Sequence, residues 1–336
     1  MFIDLRSDAV SKPSKEMAEA MMAAPVGDDV FGDDPSVIEL QDYAAKLFGK
    51  EAGLFCPSGI MCNQVALSIH TPPGNKFLCN EFSHLYYYET GGPAYLAGAV
   101  PHLISHERGI MKADDIDEAL SGDKNITLVT LESTVNKGGG CFYSLKEISE
   151  ISEVCKKHNL PLHLDGARIF NALVETANAP SEIGKYFDTI NFCLSKGLGA
   201  PVGSVMVSTK ENIAKARVAR NKFGGGMRQA GYLAAAGLFA LKNNIQRLKE
   251  DNKHAKQVAG ELKKLSYVKE LLPVDTNIII FTLDDDLNRD VFLKKLLEKN
   301  IKAVPFGEQT IRFVTHLDFT NAMMEKLIDV LMLSFN

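Results

Sequence analysis

Short apolar runs alternate with amphipathic stretches through the first 240 or so residues of the chain. Ala52–Cys56, Lys76–Cys79, Ile126–Leu131, Leu160–Leu164 and Thr189–Leu194 read as short buried strands, with Val202–Val207 a further candidate. Helix signals lie between them. Asp34 and Pro35 open a helix as N-cap and first-turn proline; Val37, Leu40, Ala44 and Leu47 form its apolar face, and Gly49 closes it. Pro57-Ser58-Gly59 turns into a helix over Ile60–Ile69, and Ser144 with Glu147 forms a capping-box pattern before the helix that carries Leu145, Ile148, Ile151 and Val154. Gln229–Leu241 reads as a buried helix of small residues. Strands alternating with helices predict an α/β layer on a largely parallel sheet.

From about Asn244 the texture changes. A long amphipathic helix (Ile245, Leu248, Ala255, Val258, Leu262, Leu265) leads into strand Asn277–Leu283, helix Arg289–Lys299, strands Lys302–Pro305 and Ile311–Thr315, and a final helix Thr320–Leu333. This predicts a large domain with an N-terminal arm over 1–244 and a smaller α+β domain over 245–336. His316 and Asp318 read as a cap on the last helix.

Composition narrows the partners. The chain has 336 residues and a formal charge of −5, which offers no field for a polyanion, so nucleic acid is a poor partner. Met1–Asp8 lacks the apolar core of a secretory signal, and Ala230–Leu241 is far short of the ~20 apolar residues of a membrane span. The six cysteines form no C-x-x-C pair and no zinc spacing; they fit small buried hydrophobes in a reducing cytoplasm, and no metal is expected.

Asp165 and Lys196 are the first candidates for chemistry. Each follows a predicted strand, where an open α/β sheet collects its ligands. A desolvated lysine is a nucleophile for carbonyl groups. Pyridoxal 5'-phosphate (PLP) requires such a lysine for its aldehyde, a carboxylate for its ring nitrogen and a phosphate cradle. Ser58-Gly59 at a helix N-terminus can supply the cradle. The bland alternative for Asp165 and Lys196 is a buried ion pair. His84, among Tyr86–Tyr88, can stack on a ring and act as a base, or simply pack at the surface. Arg168 and Arg312 can clamp a carboxylate, or pair with surface acids. Gly197-x-Gly199-x-x-x-Gly203 has the wrong spacing for a dinucleotide loop, so a nicotinamide oxidoreductase is set aside.

Taken together, these motifs resemble the threonine aldolases, PLP enzymes of the aspartate-aminotransferase-like fold (fold type I). The resemblance runs nearly end to end. It rests on Asp4-Leu5-Arg6-Ser7-Asp8, Gly27–Pro35, Pro57-Ser58-Gly59 with Asn63-Gln64, and His84 with Glu89-x-Gly91-Gly92. It continues through His163–Arg168, Ser195–Ser204, Gly224–Gln229 and Arg312-x-x-Thr315-His316-x-Asp318. It implies that Lys196 carries the cofactor as a Schiff base, that Asp165 partners the pyridinium, and that His84 stacks on the ring. Ser58, Gly59 and the Ile60 backbone would hold the phosphate; Ser7, Arg168 and Arg312 would grip the substrate carboxylate. Arg228 would reach a neighbouring subunit's cofactor phosphate, which implies a homo-oligomer, in this family usually a homotetramer. The implied reaction is retro-aldol cleavage of L-threonine or L-allo-threonine to glycine and an aldehyde.

The chain departs from the family pattern in four places. Ile60 replaces a common threonine and Phe31 a common tyrosine, each removing a hydroxyl. Val135 stands where many members have a histidine near the substrate hydroxyl, which leaves His84 as the base. Asn221 replaces the lysine of an Arg-Lys pair. Another fold-type-I reaction, transamination or β-elimination, and PLP binding without turnover are the alternatives.

Overall fold

A computed structural model of the chain describes residues 1–335. Strand β1 (Ile3–Asp4) begins the arm. Strands β2 (Ala52–Cys56), β3 (Lys76–Asn80), β4 (Val100–Ile104), β5 (Ile126–Glu132), β6 (Leu162–Asp165), β7 (Thr189–Cys193) and β8 (Ser204–Ser208) then form one sheet, in the order β2-β8-β7-β6-β5-β3-β4. Strands β3 to β7 pair in parallel, and only β8 runs antiparallel to its two neighbours. Central strands β6 and β7 are buried at every position, the polar His163, Asp165, Thr189 and Asn191 included. Strand β4 carries Pro101 and His102 and is half-exposed at the sheet edge, so its pattern gave no strand signal.

The predicted caps form. Asp34 Oδ1 accepts from Val37 N at 3.1 Å ahead of helix Pro35–Leu47, and Ser144 and Glu147 complete the capping box of helix Leu145–Lys157. Helix Lys15–Met22, capped by Ser14, carries a single buried residue, Met17, too little apolar periodicity to be foreseen.

Beyond helix Gly231–Asn243 the chain builds a second core. Strands β9 (Val268–Leu271), β10 (Ile278–Leu283), β11 (Ile301–Lys302), β12 (Val304–Pro305) and β13 (Thr310–Val314) follow, with helices Leu248–Leu262, Arg289–Glu298 and Asn321–Leu333. An antiparallel sheet runs β12-β13-β10-β9. The single strand expected over Lys302–Pro305 is two short ones: β11 pairs with β1, and after Ala303 β12 pairs with β13. Ile3 and Leu5 therefore belong to the core formed by Val258, Leu262, Phe281, Phe313 and Leu327. Asn336, the last residue of the expected small domain, lies outside the described residues.

His316 and Asp318 do not cap the last helix. Thr320 does, accepting from Met323 N at 3.3 Å. His316 Nε2 lies 2.7 Å from Asp4 O, and Asp318 Oδ2 accepts from Lys12 N at 3.1 Å, so the pair clasps the arm. All six cysteines are free and buried, and among the described residues no helix is long and apolar enough to cross a membrane.

Candidate active site

The parallel strands deliver their C-terminal ends to one edge of the sheet, where α/β proteins bind ligands. Asp165 ends β6, Glu132 ends β5, His84 opens a short helical turn just after β3, and Lys196 follows β7. A cavity of about 220 Å³ brings together Ser58, Gly59, Ile60, His84, Asp165 and Lys196, with Asn63 and Cys193 also in its wall. At its far side helix Gly59–His70 begins. Ser58 caps that helix, its Oγ accepting from Met61 N at 3.2 Å. The N–H groups of Gly59 and Ile60 have no acceptor among the described residues, so the cavity faces two free donors and the positive end of a helix. A side chain at Gly59 would put its Cβ 2.8 Å from Cys193 Sγ, so glycine keeps the backbone close to whatever fills the cavity.

A hydrogen-bonded network sits behind this wall. Asn63 Nδ2 donates to Asp165 Oδ2 at 2.8 Å and to Glu89 Oε1 at 2.7 Å, and Ala167 N donates to Asp165 Oδ1 at 3.2 Å. Asn63 Oδ1 accepts from Asn191 and faces His163 Nε2 at 3.2 Å. Glu89 also pairs with His84 Nδ1 at 3.0 Å and accepts from Gln64. The polar atoms of His84, Glu89 and Asp165 lie within 4.8 Å of one another. Burial opposes protonation of His84, but the hydrogen bond to Glu89 and the charges of Asp165 and Glu132 outweigh it and raise the imidazole above its ordinary value. His163 goes the other way: burial lowers it to about 4, against the pull of Asp165, so it is neutral at physiological pH.

Glu132 holds the floor of the site together. One carboxylate oxygen accepts from the His84 backbone N–H at 2.6 Å and the other from Asn136 N–H at 2.8 Å. Burial first, then the charge of Asp165, pushes this carboxyl up to about 7.

The two arginines behave differently. Arg168 is buried and spends its fork on Asp8, with both hydrogen bonds at 2.7 Å. Burial would raise Asp8, but the Arg168 charge and hydrogen bonds, with the Lys196 ammonium, hold it well below the usual carboxylate range. Arg312 donates to Asn136 Oδ1 at 2.9 Å and to Arg6 O at 2.8 Å, while its Nε is buried with no partner. Burial and the nearby Arg168 lower it to about 10. Ser7 lies beside Asp8, its Oγ accepting from Ala9 N at 3.2 Å.

Arg228 is not brought to the cavity within this chain. Its side chain is 67% exposed and pairs with Asp28 at 2.9 Å. Val135 is buried against Gly109 and does not line the cavity. The sequence reasoning missed Asp8 as the partner of Arg168 and Glu132 as the link between His84 and Asn136. Asn63, Gln64 and Glu89 were noted only as motif letters. The available signal was two adjacent amides inside an otherwise apolar helix, which burial obliges to find partners.

Residues 4–286 match the beta-eliminating lyase family. The chain is 41% identical over 332 residues to the low specificity L-threonine aldolase of Escherichia coli (strain K12), covering 97% of each chain. It belongs to the threonine aldolases of the beta-eliminating lyase family. It is also similar to the low-specificity L-threonine aldolase 1 of Arabidopsis thaliana, at 38% identity over 95% of this chain and 92% of that one. Among solved structures it is similar to a Leishmania major threonine aldolase (TM-score 0.85, 20% identity, 98% of each chain covered). A second match is a serine palmitoyltransferase from Sphingomonas wittichii (TM-score 0.77, 17% identity, 98% of this chain and 86% of that one covered). The fold is thus the aspartate-aminotransferase-like type I fold.

Threonine aldolases depend on PLP. The donor set fits it: an amine with no hydrogen-bond or ion-pair partner among the described residues, a buried carboxylate already oriented by Asn63, and an open helix N-terminus for a phosphate.

Proposed function

We propose that this chain is a PLP-dependent aldehyde-lyase that cleaves L-threonine, L-allo-threonine and related β-hydroxy-α-amino acids into glycine and an aldehyde. The observation that carries the reading is the placement of Lys196 and Asp165 on the wall of one cavity, at the ends of adjacent parallel strands, in a chain from this family. When bound, the cofactor supplies an electron sink for the pair released from the Cα–Cβ bond.

The chain's own residues do the rest. Lys196 offers its amine to the cofactor aldehyde. Asp165, held by Asn63, keeps a proton on the ring nitrogen and so stabilises charge as it develops. Ser58 and the Gly59 and Ile60 amides hold the phosphate. His84 covers the ring face; with Nδ1–H fixed on Glu89, its Nε2 is free to take the β-hydroxyl proton. Arg312, with its unpartnered Nε, and Ser7 hold the substrate carboxylate and so fix which Cα bond breaks. Arg168 adds its charge from behind while it holds Asp8.

The same reading includes a cytoplasmic homotetramer in which Arg228 reaches the phosphate site of a neighbouring subunit. Support comes from the exposure of Arg228 and, close by, of Phe31 at 78%, an apolar surface of the kind subunits cover. We also assign residues 1–244 and 245–336 to two domains, with β1 lent to the smaller one. The test is to purify the protein with PLP, record its visible spectrum and mass in solution, and assay acetaldehyde from L-threonine and L-allo-threonine separately. Acetaldehyde from either substrate supports the reading; a bound cofactor with no aldehyde from any β-hydroxy amino acid would sink it.

A further inference from the structure

Lys137 stands at the tip of a loop that is locked from below. Val135 N donates to Cys141 O at 2.8 Å, and Gly140 N returns to Val135 O at 2.9 Å. Arg108 donates from Nε to Gly138 O at 2.8 Å and pairs with Asp275 at 2.6 Å. Gly139 and Gly140 take φ of +77° and +75°, and a side chain at Gly138 would collide with Arg108 O, so the turn depends on its three glycines. The loop presents its one cation in a fixed place. The Lys137 ammonium lies 3.5 Å from the ring centroid of Tyr87 and 5.8 Å from those of Phe82 and Phe306. Among the described residues it has no carboxylate and no hydrogen-bond acceptor.

Three contacts connect this cation to His84 and Arg312, residues of the proposed site, although it does not itself line the cavity. Asn136, its neighbour in sequence, accepts from Arg312. The Phe306 ring carries both cations, with Arg312 Cζ 4.9 Å from its centroid. Tyr87 ends the helical turn that His84 begins; it packs 5.1 Å from Tyr88, whose ring is 5.4 Å from His84. Lys137 thus extends an arc from the imidazole that serves the β-hydroxyl to the guanidinium that serves the α-carboxylate. The aromatic faces hold the ammonium in place but leave its charge unpaired, ready for an anion. A single charge suits a monoanion.

We propose that Lys137 is a specificity residue for β-hydroxy-α-amino acids whose β-substituent ends in a carboxylate. The proposal rests on the aldolase reading above. In the reaction the Cα–Cβ bond breaks, the hydroxyl proton passes to His84, and Cα keeps the electron pair and takes up a proton. The products are glycine and an aldehyde that carries the carboxylate, with no oxidant or reductant needed.

The experiment uses holoenzyme in three forms: wild type, Lys137→Met and Lys137→Arg. Aldehyde release is measured from L-threonine and from β-hydroxy-L-aspartate. The expected result is that Lys137→Met lowers kcat/KM for β-hydroxyaspartate at least tenfold while threonine stays within twofold, and that Lys137→Arg restores most of the loss. Equal effects on both substrates, or none on either, overturn the proposal and leave the aldolase reading standing. If wild type cleaves neither, that reading falls and binding decides the proposal. L-aspartate must then bind at least tenfold tighter than L-alanine in calorimetry, with Lys137→Met erasing the difference; equal binding overturns it.

Discussion

Glu132 and Asp165 face each other across adjacent parallel strands as a register pair, one closing β5 and the other closing β6. Burial, and after it the charge of Asp165, raises the Glu132 carboxyl to about 7. Because its folded-state value lies above its ordinary one, the native protein binds the extra proton between roughly pH 4.5 and 7. The stability this lends is full below that window and is lost as pH rises through about 7. Cofactor-free protein should therefore lose part of its Tm between pH 5 and 8. Glu132→Gln should flatten this dependence and lower Tm at pH 5, where the wild-type carboxyl is neutral, since one of its two backbone N–H donors then meets an amide NH2, at a cost of about 1–3 kcal/mol. Scanning fluorimetry across pH checks both.

Glu89 tunes His84. Removing its charge with Glu89→Gln takes away the main influence that raises the imidazole. The acid limb of the kcat profile should move to lower pH, and kcat should fall about 10- to 100-fold as the ring loses its fixed orientation. An acid limb that stays in place would mean that another group controls it.

Lys196→Ala should abolish the visible absorbance band of bound cofactor. Asp165→Asn should keep cofactor binding but lower kcat by roughly 10²–10³, the usual scale for losing one preorganised electrostatic contact. Absorbance spectra and turnover on the same preparations separate the two effects.

The Asp8–Arg168 pair is a structural wager. Both partners are buried, and Asp8→Asn would leave the guanidinium without its counter-charge, costing about 3–5 kcal/mol. Chemical denaturation of the cofactor-free variant measures this directly, and an unchanged midpoint would count against the pair as a source of stability.

What the chain revealed in advance follows its local chemistry. Asp165 and Lys196 stood out because each follows a short, mainly apolar segment that reads as a buried strand, and Ser58 because it lies between Pro57 and Gly59 at a helix start. The Asp8–Arg168 contact was invisible because its partners are 160 residues apart and each sits in an ordinary polar setting. Strand β4 escaped notice because an edge strand needs no regular apolar face. Lys137 could not be singled out, since its significance comes from Tyr87 and Phe306, which only the tertiary fold brings to it.

The arm has a consequence for biosynthesis. Ser7 and Asp8 follow a two-residue strand that pairs with Ile301–Lys302, and the arm is also held by His316 and Asp318. Residues Ile3 and Asp4 therefore cannot dock until Ile301 and Lys302 have been made. Until then the nascent large domain would carry an unfinished pocket, so fragments truncated before residue 300 should be inactive even where they fold.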